Sequence, residues 1–81
     1  MARRNPVRGV ARLSLTLPES GVARVEVFDV GGARVATLLD GWQPAGTREL
    51  SWDAGDTSAG VYFARVAFAR RSTTIRLVLV R

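Results

Sequence analysis

The loop Asp53-Ala54-Gly55-Asp56-Thr57-Ser58 sets two carboxylates and two hydroxyls within six residues. Oxygen ligands at that density are the raw material of a calcium site, and paired carboxylates are that of a glycoside hydrolase. The spacing is not that of an EF-hand loop. Asp and Ser side chains also bond their own backbone at turns, which accounts for the loop without an ion. A carboxylate pair needs a cleft as well, and a chain of 81 residues hardly offers one. The absences exclude more. There is no histidine, cysteine or lysine, and all twelve basic residues are arginine. That removes the Ser-His-Asp triad, the Cys-His pair, the ordinary zinc site, the Schiff-base lysine and the phosphate-binding P-loop. No enzyme activity, cofactor or small-molecule substrate is expected, and no metal.

The arginines are the second chemical resource, and the net charge is +5. A nucleic-acid interface would gather them into a stripe with stacking aromatics. Instead Arg12, Arg24, Arg34, Arg48, Arg65 and Arg76 recur roughly once per apolar–polar run, mostly at positions read as facing water, among Asp29, Glu26 and Glu49. Nucleic acid is therefore not the expected partner. Trp42, between Gly41 and Gln43 in a run rich in turn residues, is the aromatic most open to an exposed contact such as a sugar or a partner protein.

The elements that would position these residues alternate with period two, the signature of half-buried strands. Residues 10–17 place Ala11, Leu13, Leu15 and Leu17 on one face. Residues 22–30 place Val25 and Val27 opposite Arg24 and Glu26, with Phe28 and Val30 on the polar side, so a twist or bulge is expected there. Further strands are read at 34–39, 47–53, 61–68 and 72–80, the last aligning Ile75, Leu77 and Leu79. Gly31-Gly32 signals a primed hairpin turn, and residues 40–46 read as a loop. Six or seven short strands with regular turn signals make an antiparallel β-sandwich. Leu13, Leu15, Val25, Val27, Leu50, Trp52, Tyr62 and Leu77 are the expected core. One domain is expected, over residues 5–81, with residues 1–4 a start segment or linker remnant. Met1-Ala2-Arg3-Arg4 is basic but no apolar stretch follows it, so it does not read as a signal peptide.

The order of the turn and strand motifs is more specific than the periodicity. Asn5-Pro6 is followed by Leu17-Pro18-Glu19-Ser20-Gly21, Val27-Phe28-Asp29-Val30-Gly31-Gly32 and Val35-Ala36-Thr37-Leu38-Leu39-Asp40-Gly41. Then come Pro44-Ala45-Gly46-Thr47, Trp52-Asp53, Gly60-Val61-Tyr62-Phe63 and the closing run Arg76 to Arg81. In this order they resemble the type A C-terminal sorting domain of the type IX (Por) secretion system, and they are similar also to the Ig-like domain of flagellar hook-capping proteins. The chain departs from the sorting pattern in two ways. Ala33 stands where a basic residue usually follows the hairpin glycine, with Arg34 next, and Arg76 and Arg81 stand where lysines are usual.

The resemblance implies an all-β fold, an Ig-like antiparallel sandwich of about seven strands. It implies a non-catalytic signal that directs an attached N-terminal cargo protein across the outer membrane, in transit through the periplasm to the cell surface or the medium. The partners would be the translocon and a surface transpeptidase. The implied sorting residues are Arg76, Val78 and Arg81 in the last strand, Asp29, Gly32 and Arg34 at the hairpin, and Gly60 and Tyr62. Each has a plainer reading. Arginines guard a free strand edge, hairpin glycines answer a backbone need, and a buried tyrosine fills the core. The last strand could present its edge to a partner strand, or pair two copies into a weak dimer in place of a monomer. The alternative function is a structural or adhesive Ig-like module of the hook-capping kind, in a cell-surface or extracellular protein, and a weaker one is a carbohydrate-binding module built on Trp42.

Overall fold

A computed structural model describes residues 10–55 and 57–80, and Asn5, Pro6, Asp56 and Arg81 lie outside these. Six strands run through the described residues: β1 (Val10–Leu17), β2 (Gly21–Asp29), β3 (Arg34–Gln43), β4 (Gly46–Asp53), β5 (Gly60–Phe68) and β6 (Arg71–Leu79). They form two antiparallel sheets, β1-β4 and β3-β2-β5-β6. The chain changes sheet three times, between β1 and β2, β3 and β4, and β4 and β5.

Alternation sends every second side chain into the space between the sheets. Leu15, Leu17 and Trp52 meet Ala23, Val25, Val27, Tyr62, Ala64 and Leu79 there, all buried. Leu13, Leu50 and Leu77 pack at the margin of this core and are only half-buried. Ile75 departs from its expected core position: it is 39% exposed. Two strands cannot cover four, and β6 is an edge strand on the wider sheet, so the apolar underside of its middle is left open.

Trp52 and Tyr62 meet edge to face, ring centroids 5.1 Å apart, the arrangement the ring quadrupoles favour. The Tyr62 hydroxyl then donates back to the Ser58 carbonyl at 2.6 Å. A tyrosine near the start of the fifth strand, bonded to the chain just upstream, is the tyrosine corner of Ig-like sandwiches. Together with a β3-β2-β5-β6 sheet facing a β1-β4 pair, it makes this an Ig-like fold.

Three local readings change. Residues 40–43 belong to β3 and not to a loop, because Asp40, Gly41, Trp42 and Gln43 pair with Arg24, Ala23, Val22 and Gly21 of β2. Pairing to a preformed neighbour outweighs the turn preference of Asp-Gly. The crossover to β4 is left with Pro44 and Ala45. Arg48 clamps it, Nη1 donating to Gln43 Oε1 at 2.6 Å and Nη2 to the Pro44 carbonyl at 2.7 Å. Arg48 is thus half-buried on the face of Leu50 and Trp52, and does not face water as its type suggests. At the β2–β3 hairpin Gly32 alone of the glycine pair has positive φ, +90°, so the turn is not of the type that needs both. The Gly32 N–H closes a turn on the Asp29 carbonyl at 3.1 Å. The Asp29 carboxylate accepts from the N–H groups of Gly31 and Ala33, each at 2.9 Å.

The candidate recognition face

The expected bulge lies beside Phe28, on β3. Val25 pairs with Leu39 and Glu26 with Thr37, leaving Leu38 over; Val27 pairs with Ala36 and Phe28 with Arg34, leaving Val35 over. Bulges twist a strand and re-aim its side chains, and these two bracket Glu26. Read as a solvent-facing residue by alternation, Glu26 is 5% exposed. Arg34 Nη1 donates to its Oε2 at 3.0 Å, and Arg65 Nη2 lies 3.9 Å from its Oε1. Both arginines keep more than half of their own side chains in water. They roof the carboxylate rather than share its burial. The Arg65 guanidinium also lies over the Phe28 ring, 5.1 Å from its centroid, within cation–π range.

Register then assembles a row. Arg34 is opposite Phe28, Phe28 is opposite Phe63, and Phe63 is opposite Arg76. Directly opposed residues share a face, with Cβ atoms about 5 Å apart. Arg34, Phe28, Phe63 and Arg76 therefore cross all four strands on the outer face. Val61 opposite Val78 extends it on one side, and Glu26 opposite Arg65 on the other. Val61 and Val78 are exposed, and the two phenylalanines are half-buried. The surface is an apolar strip edged by three guanidinium groups. Arg34 and Arg65 are held by Glu26, whereas among the described residues no side-chain hydrogen bond or ion pair engages Arg76.

Of the residues singled out in the sequence, the structure brings Arg34, Arg76 and Val78 onto this one face. It does not bring the others. Asp29 serves its own hairpin. Gly32 and Gly60 hold positive φ, +90° and +147°, with nothing within 4 Å of an added Cβ, so they answer the backbone rather than a contact. Tyr62 is in the core. Arg81 lies outside the described residues. Trp42 is exposed at the opposite end of the same sheet. In the acidic loop, Asp53 Oδ1 accepts from the Gly55 N–H at 3.1 Å, the turn chemistry expected of it. Among the described residues no three acidic side chains gather to hold an ion. Sequence reading missed Phe28, Phe63, Arg65 and Glu26. The signal was present in Phe28 breaking the alternation of β2, but the partners come from β5, and only register identifies them.

Three of the singled-out residues, Arg34, Arg76 and Val78, thus share one outer sheet face of an Ig-like sandwich. The chain belongs to the secretion system C-terminal sorting domain family, whose model matches residues 5–80. It is thus a C-terminal sorting signal for type IX secretion, from a family of sorting domains and not of enzymes. Export to the cell surface or the extracellular space follows from that membership. No curated protein and no solved structure matches the chain.

Proposed function

We propose that residues 5–81 form one non-catalytic sorting domain, residues 1–4 being a start segment or linker remnant, which directs an attached cargo protein through the periplasm and across the outer membrane. The type IX machinery reads it through the outer face of the four-stranded sheet. One observation supports this above the rest: residues of four strands and three separate sequence motifs meet in the row Arg34, Phe28, Phe63 and Arg76. Folding alone does not require a cation at position 76, which is exposed and unpaired. Half-buried rings give a partner apolar area, and the flanking guanidiniums select carboxylates in fixed geometry.

The test is export of a periplasm-directed fluorescent protein fused to this chain, in a bacterium with a working type IX system. Arg76→Glu is compared with Arg12→Glu, an exposed arginine of the other sheet. The expected result is fluorescence outside the cell for the parent and the Arg12 variant, and retention of the folded Arg76 variant in the periplasm. Equal export of all three would sink the face as the recognised surface, and retention of all three would sink the sorting role in that host.

A further inference from the structure

The far end of the same outer face has a different chemistry. Trp42 lies opposite Val22, and both are 65% exposed. Being on the edge strand β3, the indole has no strand beyond it to shield its ring. In the next row Asp40 is opposite Arg24, and Arg24 is opposite Ala67. The Arg24 Nε lies 3.5 Å from Asp40 Oδ1, and both side chains are more than half exposed. That contact is loose and leaves the terminal guanidinium nitrogens and Oδ2 free to bond elsewhere. The small residues Ala67 and Ala69 fail to fill the space beside Arg24. The result is a shallow hollow of about 320 Å³ lined by Val22, Arg24, Asp40, Ala67 and Ala69.

We propose that this end of the sheet binds a neutral saccharide, one sugar ring lying on Trp42 and hydroxyls of the same or the next ring reaching Asp40 and Arg24. A pyranose offers a face of C–H groups, slightly positive, to the negative face of the indole. It also offers hydroxyls that donate to a carboxylate and accept from a guanidinium. Residues two apart on a strand are about 6.5–7 Å apart, which sets Asp40 one sugar ring's breadth from Trp42. The polar pair carries one charge of each sign, so the hollow selects no net charge in its ligand. Arg70 and Arg71 lie in the neighbouring hairpin but do not line it. A few placed polar groups beside an apolar platform are what such sites need. The inference does not rest on the sorting face, which uses other residues at the other end of the sheet.

The test is calorimetric titration of the intact chain with maltohexaose, cellohexaose, xylohexaose and chitohexaose, with tryptophan emission followed in parallel. Trp52 is buried, so a change in the solvent-exposed emission reports on Trp42. The expected result is saturable binding of at least one oligosaccharide, with an emission shift. Trp42→Ala and the shape-preserving Asp40→Asn should each weaken it tenfold or more, with circular dichroism unchanged. No heat from any of the four at millimolar concentration overturns the proposal, as does binding that both variants retain. An emission shift produced only by vesicles containing phosphatidylglycerol also overturns it, and makes this end a membrane contact instead.

Discussion

Arg34 Nη1 bonds Glu26 Oε2 at 3.0 Å across a hairpin whose two bulges bracket the carboxylate. The partners are unequal, one mostly in water and one nearly out of it. A carboxylate so placed is costly without donors, so the pair is a condition of β2 lying flat beside β3 and not a surface ornament. Exposure of the arginine screens the attraction. A double-mutant cycle of Glu26→Gln and Arg34→Ala should give a coupling energy of about 1 kcal/mol, read from urea unfolding. Strict additivity would mean that Arg65 and water alone satisfy the carboxylate.

Tyr62→Phe keeps the ring against Trp52 and removes only the bond to Ser58. Loss of one hydrogen bond costs about 1 kcal/mol, and a domain of this size has little stability to spare. The variant should unfold at lower urea with an unchanged denaturant slope and an intact Trp52 environment. A changed slope would show instead that the corner shapes the unfolded ensemble or an intermediate.

Ala69 turns the β5–β6 hairpin with φ at +57°, the one non-glycine with positive φ among the described residues. A Cβ there costs roughly 1–2 kcal/mol, partly offset by the lower unfolded-state entropy of alanine. Ala69→Gly should therefore raise stability by about 0.5 kcal/mol, measured as a shift in the unfolding midpoint. A fall would mean that the Ala69 methyl, which lines the hollow beside Arg24 and Asp40, contributes packing that outweighs the strain.

What was legible in the chain is what period two can encode. The six strands, the burial of Leu15, Val25, Val27, Trp52 and Tyr62, and the order of the turn motifs all follow from local pattern. Alternation breaks down where a neighbouring strand decides. Glu26 reads as exposed because its own strand puts it outward, and it is buried because side chains of β3 and β5 close over it. Trp42 reads as a loop residue because Asp-Gly precedes it, and it is strand because β2 begins at Gly21 and needs partners. Arg48 reads as a surface cation, yet it sits at the sandwich end because the two-residue crossover offers it acceptors. The proposed recognition face was half legible. Arg34, Arg76 and Val78 came from motif order, whereas Phe28 and Phe63 need the register of β2 on β5.

The split into local hairpins and distant strand pairs also has a kinetic side. The β2–β3 and β5–β6 hairpins join neighbours in sequence, but β2 pairs with β5, as in Phe28 with Phe63, and among the described residues β1 pairs only with β4, as in Leu13 with Leu50. Closing either long loop costs chain entropy before its contacts form. The hairpins should therefore form first and the β2–β5 and β1–β4 pairings later, on the millisecond-to-second scale, about the range of non-local β topologies. During that interval each hairpin carries only its half of the row, Arg34 with Phe28 on one and Phe63 with Arg76 on the other, while its underside, with Val25 and Val27 or with Ala64, is still bare. The proposed recognition surface would thus be complete only once the two hairpins have joined, so a receptor that reads the whole row tells a paired sheet from a nascent one.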